Sequence, residues 1–333
     1  MKNLLKTMVI VLLVLLMAMP LFAAKKYVVG LSLNTMENTL YFAGQEYLKR
    51  EFKKIADTNG VAIDVKTVVA DGDPVKQKTQ IEDLISSGVD VIISNAVDSK
   101  AILTSISDAH DAKIPIVTLW RKEAKDKTIK ADAYSGQDTV AQAYVTMKAL
   151  AEMMKKDGVK NPRCLNVMGD LRDENAVNRN AGLRKACKEY NIKIVSTVPT
   201  EWNPDKAKEG VTNAFRANPS INCMFVASDF LMPALLSAME VNKKKIPYGT
   251  KGHVYVAACD LQIEGYNALT AGLVDTEVIY DVYQTSANAA ELCWKLINKQ
   301  SVSDKLVPGQ LGTRQNLDKV QGLWCKEFAN AGK

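Results

Sequence analysis

Short apolar runs alternate with longer amphipathic segments along most of the chain. Several runs, such as residues 91–93 and 254–258, are apolar without interruption, which is typical of parallel strands buried on both faces. Between the runs, apolar residues recur at helical spacing, as Leu48, Phe52 and Ile55 do. The pattern predicts ten strands, at residues 27–33, 62–69, 90–94, 115–119, 129–134, 163–168, 193–198, 222–227, 253–259 and 276–279.

This alternation of strand and helix predicts an α/β fold with parallel sheets. Five strands precede residue 135 and five follow residue 162, with similar spacing, so we expect two doubly wound parallel-sheet lobes joined by a hinge. The length of 333 residues also fits two domains. We assign residues 25–137 plus 282–310 to an N-terminal lobe, and residues 138–281 plus 311–333 to a C-terminal lobe.

The first 24 residues have the features of a secretory signal peptide. Lys2 and Lys6 precede an uninterrupted apolar run over residues 8–19, and Pro20 follows it. The run is short for a membrane span, although an uncleaved anchor helix is the alternative interpretation. The sequence therefore predicts export to a periplasm with cleavage of residues 1–24.

Composition limits the remaining classes of function. The chain is 47% hydrophobic and 24% charged, with a net charge of +6, which is too weak a positive charge to indicate nucleic-acid binding. All six cysteines lie from residue 164 onward without a C-x-x-C spacing, and there are only two histidines, so a structural zinc site has little support. We interpret the cysteines as buried small side chains, and Cys164 with Cys223 as the disulfide to check first.

Polar and aromatic residues recur just after the predicted strands. In open α/β sheets, ligands bind beyond the carboxyl ends of the strands. Arginine offers a fork of donors, each aspartate accepts two hydrogen bonds, and tryptophan and tyrosine present flat apolar faces, so the set matches a neutral polyhydroxylated ligand. The candidate ligand-binding residues are Asn38, Tyr41, Trp120, Arg121, Asp138, Asp173, Asn175, Arg179, Trp202, Ser228, Asp260 and Asp281.

Several candidates also have a purely structural interpretation. An aspartate after a strand is a common helix N-cap, a tryptophan can pack against a helix or the edge of a lobe, and an arginine in a helix can lie on the surface. These alternatives stay open for Asp98, Asp138, Asp229 and Asp260 as caps, for Trp120 and Trp202 as packing residues, and for Arg179 as a surface residue.

The chain resembles the type I periplasmic sugar-binding proteins, the ribose- and glucose/galactose-binding family of ABC importers, over essentially its whole mature length. The stretch V-D-V-I-I-S-N from Val89, continuing to Asp98 and then to I-P-I-V-T-L from Ile114, is similar to that family's G-V-D-x-I-I-x-N-x-x-D…I-P-V-V segment. The resemblance also matches family ligand-binding positions, at Arg121, Arg179, Trp202 and Asp260.

The sequence departs from the family at other specificity positions. Leu40 and Tyr41 stand where ribose binders have an aromatic pair, Trp120 replaces an Asp or Asn, and Ser228 replaces an Asn. The amide expected after the tenth strand is Tyr280 or Asp281, and no calcium loop is matched near residue 157. We therefore expect no metal and no cofactor, and a ligand that is a hexose, a pentose or an inositol-like polyol.

The resemblance implies a monomer that captures a monosaccharide between its lobes and delivers it to an ABC permease in the membrane. The alternative is a periplasmic sensor that presents the sugar to a chemoreceptor or a sensor kinase. An enzyme is not expected, because G-x-S-x-G, P-loop and G-x-G-x-x-G motifs are missing, although Asp260 and Asp281 could imitate a glycosidase pair. A sugar-responsive repressor would need a DNA-binding N-terminus in place of the leader.

Overall fold

The computed structural model describes residues 24–320 and 323–329. Within these ranges, twelve strands form two sheets of six. The first sheet contains β1 (Lys26–Leu33), β2 (Ala62–Val69), β3 (Val91–Ser94), β4 (Ile116–Leu119), β5 (Ala133–Gln137) and β11 (Lys305–Val307). Its spatial order is β11-β5-β4-β3-β1-β2, and all of its neighbouring strands are parallel.

The second sheet repeats this arrangement. It contains β6 (Arg163–Met168), β7 (Lys193–Pro199), β8 (Cys223–Val226), β9 (Tyr255–Asp260), β10 (Thr276–Ile279) and β12 (Gln310–Thr313). The order is β12-β10-β9-β8-β6-β7, and only the edge strand β12 runs antiparallel to its neighbour. The predicted α/β fold of two parallel-sheet lobes is confirmed.

Helices cover both faces of each sheet. They are α1 (Thr39–Asn59), α2 (Pro74–Ser86), α3 (Ile102–Asp111), α4 (Thr139–Lys156), α5 (Glu174–Glu189), α6 (Pro204–Ala217), α7 (Met232–Val241), α8 (Ile263–Thr270), α9 (Val282–Ile297) and α10 (Trp324–Glu327). Consecutive residues of β3 point to opposite faces of the sheet. Val91 packs with Leu48 and Phe52 of α1, and Ile92 packs with Ile81 of α2. Two buried faces explain why the run at 91–93 is apolar throughout.

The chain passes between the sheets three times, after β5, after β10 and between β11 and β12. Helix α4, which follows β5, packs on the second sheet, where Met147 is buried with Phe225. Helix α9, which follows β10, packs on the first sheet, where Val282 and Ala289 are buried with Val91. Each crossing therefore sends a helix or an edge strand onto the opposite sheet.

Two features differ from the sequence-based expectations. The fifth strand is Ala133–Gln137 rather than 129–134, because the Asp126 side chain accepts hydrogen bonds from the backbone of Thr128 and Ile129 and forms a turn there. Helix α10, which we assigned to the second lobe, contacts both lobes. Trp324, Cys325 and Phe328 are buried with residues of the first lobe's core, and Glu327 binds Tyr47 and Arg50 of α1. Lys326 lies over the Tyr266 ring of the second lobe.

The predicted leader lies outside the described residues, apart from Ala24. In the ranges that the structure covers, no helix has the length and apolar character of a membrane span. All six cysteines are buried free thiols, as expected of small core side chains. Cys164 and Cys223 lie opposite each other in β6 and β8 without a disulfide.

The strand order places one switch point in each sheet. The connections reverse direction between β1 and β3 in the first sheet, and between β6 and β8 in the second. Ligands of open α/β sheets bind beyond the carboxyl ends of the strands at such a point. The loops that begin at Asn34, Asn95, Gly169 and Ala227 are therefore the first place to look for a site.

Candidate functional site

A cavity of about 330 Å³ lies between the two lobes at these switch points. Ten of the twelve candidate residues line it, and these are Asn38, Tyr41, Trp120, Arg121, Asp173, Asn175, Arg179, Trp202, Ser228 and Asp260. Loops that are far apart in the sequence meet here because the carboxyl ends of both sheets face one another.

Arg121, which follows β4, forms an ion pair across the cavity with Asp173 of the second lobe. Its Nη2 atom lies 2.8 Å from Asp173 Oδ2, and Nη1 donates to the carbonyls of Ala96 and Val97 at 2.6 and 2.8 Å. Both side chains are buried. Burial by itself lowers the pKa of Arg121, but Asp173, Tyr41 and Asp170 together outweigh that effect and the pKa is raised.

Asp173 receives further hydrogen bonds within the second lobe. It is the N-cap of α5, where it accepts from the backbone N–H of Asn175 at 2.9 Å. Its other oxygen accepts from Trp202 Nε1 at 3.1 Å. The carboxylate that meets Arg121 is therefore already fixed in position by its own lobe.

Arg179 forms a second buried ion pair, this time entirely within the second lobe. The guanidinium of this α5 residue bonds both carboxylate oxygens of Asp260, and it donates to the Ala227 carbonyl at 2.5 Å. Ser228 Oγ also donates to Asp260. Burial lowers the pKa of Arg179, whereas Asp260 raises it, and the result is a raised pKa. The interpretation of Arg179 as a surface residue is wrong, since only 3% of it is exposed.

Aromatic rings lie on both sides of the cavity. Tyr41 and Trp120 of the first lobe have ring centroids 5.6 Å apart, and Trp202 and Phe230 of the second lobe have centroids 6.1 Å apart. Such rings present apolar faces to a ligand between them.

Both tryptophans have left-handed backbone conformations, with φ of 60° for Trp120 and 57° for Trp202. The Trp120 carbonyl accepts hydrogen bonds from Tyr134, Asn175 and Tyr280 at 3.0–3.2 Å. Strained backbone of this kind persists only where its surroundings hold it, and it is common at ligand-binding sites.

Glycines make room for these rings. A Cβ at Gly44 would lie 2.0 Å from the Trp120 ring, and one at Gly169 would lie 2.0 Å from the Trp202 ring. Each ring therefore packs against a backbone position that only glycine can occupy.

Several polar atoms of lining residues have no hydrogen-bond partner among the described residues. They are Oδ1 of Asn34 and Asn95, and Nε of Arg121 and Arg179. Buried polar atoms are normally paired, and these four atoms are themselves buried in the wall of the cavity rather than exposed to it.

Two candidates, Asp138 and Asp281, lie outside the cavity. The Asp138 side chain accepts from the backbone N–H of Ala141 and caps α4, and the Asp281 side chain accepts from that of Gln284 and caps α9. Each helix begins at the next residue, so the carboxylate is used locally. Tyr280 lines the cavity in place of Asp281.

Asp229, in contrast to Asp138 and Asp281, does not cap a helix. Its interpretation as a helix cap is wrong, because the side chain accepts from the backbone of Gln262 and makes no cap hydrogen bond. Asp98 does accept from the backbone of Lys100 and Ala101 at the start of α3, as expected of a cap.

Eight lining residues were missed as candidates. Asn34, Asn95 and Tyr280 directly follow strands, so the signal that identified Ser228 could have found them. Phe230 does not directly follow a strand, since β8 ends at Val226, so its position in the sequence did not mark it as a candidate. The full set is Asn34, Thr35, Glu37, Leu40, Asn95, Pro204, Phe230 and Tyr280.

No group of three or more potential metal ligands occurs in the part of the chain that the structure describes. The four buried charges of the cavity form two neutral pairs, and aromatic rings lie on both sides of the cavity. This arrangement suits an uncharged ligand that carries both hydroxyl groups and an apolar face.

Comparisons with known proteins agree with this geometry. The profile of the periplasmic binding protein domain matches residues 29–301. The ribose import binding protein of Salmonella typhimurium is 22% identical over 283 residues, which cover 85% of this chain and 89% of that protein. The D-allose-binding periplasmic protein of Escherichia coli is 26% identical over 302 residues, which cover 85% of this chain and 93% of that protein.

A solved structure shares the fold. The ABC transporter periplasmic solute-binding protein of Actinobacillus succinogenes, determined with bound D-allose, matches with a TM-score of 0.77 and 25% identity. The match covers 88% of this chain and 100% of that chain. The likeness therefore includes both lobes.

Proposed function

Because the chain belongs to the periplasmic binding protein domain family, we propose that it captures a neutral monosaccharide or cyclic polyol between its lobes and delivers it to an ABC permease. The relatives named above are binding proteins, and this chain is a binding protein rather than an enzyme. A hexose, a pentose and an inositol-like polyol all fit the proposal.

The balance of the buried charges in the cavity is the observation that carries this proposal, and the additional lining carboxylate, Glu37, is exposed. Arg121 is paired with Asp173, and Arg179 with Asp260, all four side chains being buried. A strongly anionic or cationic ligand would leave one of these buried charges unbalanced, which is costly. A neutral ligand can hydrogen-bond to both pairs and leave each of them intact.

The aromatic pairs support a ring-shaped ligand. A sugar ring placed between Tyr41 with Trp120 and Trp202 with Phe230 would put its C–H faces against the rings and its hydroxyls toward the charged pairs. The names of the relatives, a ribose import binding protein and a D-allose-binding protein, agree with this class of ligand.

Closure of the lobes would provide the capture step. The Arg121–Asp173 pair joins the lobes inside the cavity, and the backbone N–H of Ser99 donates to the Arg172 carbonyl at 3.0 Å beside it. A ligand contacts both lobes only when they are closed, so binding shifts the population toward the closed form. We place the hinge at the three crossings, near residues 138, 281 and 309.

The relatives' names also bear on location and partners. One is called periplasmic and the other an import binding protein, which supports export with cleavage of residues 1–24 and docking on a membrane permease. A monomer is expected. Nothing in these names favours the alternative of a sensor that presents ligand to a chemoreceptor or a sensor kinase.

Thermal unfolding of the purified protein tests the ligand class. The panel contains ribose, xylose, arabinose, glucose, galactose, fucose, allose and myo-inositol, with nucleosides and the corresponding sugar acids as charged or bulkier competitors. A ligand that binds only the native state raises the melting temperature. We expect one neutral sugar or polyol to do so in a concentration-dependent way. Stabilisation by a sugar acid alone would contradict the proposal.

A further inference from the structure

Two carboxyl groups are buried directly behind the cavity, and the binding site described above does not use them. Asp229 follows Ser228 at the end of β8, and Glu277 lies in the middle of β10; neither side chain is exposed at all. Gly265 of α8 shows how close they are, because a Cβ there would lie 1.9 Å from Asp229 Oδ2 and 2.4 Å from Glu277 Oε1. The two carboxyls therefore face each other across this glycine.

The described residues supply few donors to this pair. Asp229 Oδ2 accepts from the backbone N–H of Gln262 at 2.6 Å. Asp229 Oδ1 and both Glu277 oxygens have no donor with full hydrogen-bond geometry among the described residues, and the Gln262 side chain is also unpaired. The Leu261 backbone N–H is near enough to Glu277 to act against the rise in its pKa. No lysine, arginine or histidine in that part of the chain forms an ion pair with either carboxyl, and the guanidinium of Arg179 is paired with Asp260.

The other titratable groups that face the pair do not offset its charge. On β9 they are Asp260 and the Cys259 thiol, and on α10 the Cys325 thiol faces both carboxyls. Two ionised carboxylates cannot share such a site, so at least one holds a proton. Burial accordingly raises the pKa of Glu277 to about 8 and holds that of Asp229 well above its ordinary range.

The pair is connected to the binding site through one short turn. Asp260 and Leu261 have φ of 98° and 51°, a conformation that costs free energy and must be held in place. Ser228, next to Asp229, donates its hydroxyl to Asp260 at one end of the turn, and Asp229 accepts from the Gln262 backbone at the other. Asp229 therefore holds one end of the turn that presents Asp260, and its neighbour Ser228 holds the other.

We propose that Asp229 and Glu277 form a proton-binding site, in which a shared proton positions the 260–262 turn and makes sugar affinity depend on that proton. Asp229 and Glu277 are thus positioning residues that do not contact the sugar. The link to affinity rests on the proposed function, because it requires Asp260 to bind the ligand. The proton site itself does not.

The first test uses the ligand-free protein, so that it is independent of the proposed function. The melting temperature is measured from pH 5.5 to pH 9.5 for the wild type, Glu277→Gln, Asp229→Asn and the exposed control Glu209→Gln. A pKa raised in the folded state gives stability that is present at low pH and lost as the pH rises through the raised pKa. We expect the wild type and the control to lose several degrees over this range, and both amide variants to lose much less.

The amide variants are matched to the proposal, since an amide in either position can donate to the remaining carboxylate as the shared proton would. Infrared spectroscopy of the wild type needs no variant: a protonated-carboxyl band should be present at pH 6 and lost by pH 9.5 while the backbone bands are unchanged. The same melting profile in the wild type and both variants, or no such band, would overturn the proton site.

The second test measures affinity for the panel sugar that stabilises the wild type most. We expect the wild-type Kd to be about tenfold weaker at pH 9 than at pH 6, equivalent to one pKa unit of coupling, and the Kd of Glu277→Gln to change little. A pH-independent Kd alongside a pH-dependent melting temperature would retain the proton site and refute its coupling to Asp260. If no panel sugar binds, the proposed function fails while the first test still judges the acid pair.

Discussion

The two buried Arg–Asp pairs of the cavity have the same chemistry but different construction. Arg179 and Asp260 both belong to the second lobe, on α5 and at the end of β9. Arg121 belongs to the first lobe and reaches Asp173 of the second. The Arg179–Asp260 pair exists whatever the separation of the lobes, whereas the Arg121–Asp173 pair can form only when they close. The second lobe therefore carries a prepared half of the site, and the first lobe completes it.

The surroundings of the pairs agree with this difference. Asp260 is held by Ser228 and by a constrained turn within its own lobe. At the other pair, the lobes add direct contacts, since the Glu174 backbone N–H donates to Ser99 Oγ at 3.2 Å and Asn175 Nδ2 donates to the Trp120 carbonyl at 3.0 Å. Mutations in the prepared half should thus affect folding and binding together, and mutations at the junction should affect mainly closure.

The largest effect is expected from Asp260→Ala. It leaves Arg179 buried without its carboxylate, and breaking such a pair costs about 3–5 kcal/mol of stability. Sugar binding should become undetectable in calorimetry, and the melting temperature should fall sharply. The double variant Arg179→Met with Asp260→Asn removes both charges and keeps a residue that tolerates positive φ. It should recover stability but not binding. Recovery of binding as well would show that the pair does not contact the sugar.

Arg121→Met tests the pair between the lobes. Asp173 keeps its hydrogen bonds from Asn175 and Trp202, so the loss of stability should be smaller than for Asp260→Ala. Losing a charge-assisted contact worth about 2 kcal/mol should weaken the affinity roughly thirtyfold. Small-angle scattering with saturating sugar should show a more open average shape. A stability loss equal to that of Asp260→Ala would remove the distinction between the two pairs.

Ser99→Ala isolates closure from ligand contact. Ser99 does not line the cavity, yet its hydroxyl accepts from the first turn of α5 in the opposite lobe. Removing such a cap costs about 1 kcal/mol, which corresponds to roughly fivefold weaker binding. The factor should be the same for every sugar that binds, and Ser99→Thr should restore the affinity. A factor that differs between sugars would mean that Ser99 contributes to specificity.

Asp138→Ala should have the smallest effect on binding. Its side chain caps α4 and lies outside the cavity, so the variant should lose about 1 kcal/mol of stability with an unchanged Kd. Asp138→Asn preserves the cap and serves as the control. A tenfold loss of affinity in the alanine variant would return Asp138 to the binding site.

The fold could be predicted because each lobe repeats one strong local pattern. Strands such as β3 and β9 are buried on both faces and read as continuous apolar runs. The two strands that escaped prediction, Lys305–Val307 and Gln310–Thr313, are short edge strands without such a run. The contacts of Glu327 in α10 with Arg50 and Tyr47 of α1 join residues that are 277 and 280 positions apart in the sequence. No local pattern indicates such a contact.

The site was predictable to the extent that strand ends determine it. Residues directly after strands, such as Arg121 and Asp260, lie in the cavity as expected. The same rule selected Asp138 and Asp281, which lie outside the cavity because a helix begins at the next residue and takes the carboxylate as its cap. The sequence also could not indicate that Asp229 is fully buried beside Glu277, since that depends on the packing of α8 against β10.

The most direct measurement of the central claim is a crystal structure with the sugar or polyol that stabilises the protein most in the thermal panel. We expect the ring of the ligand to lie between the Tyr41–Trp120 and Trp202–Phe230 pairs. Its hydroxyls should bond to Asp173, Arg179 and Asp260, with both ion pairs retained. A ligand bound outside the cavity, or one that contacts only one lobe with the lobes apart, would contradict it.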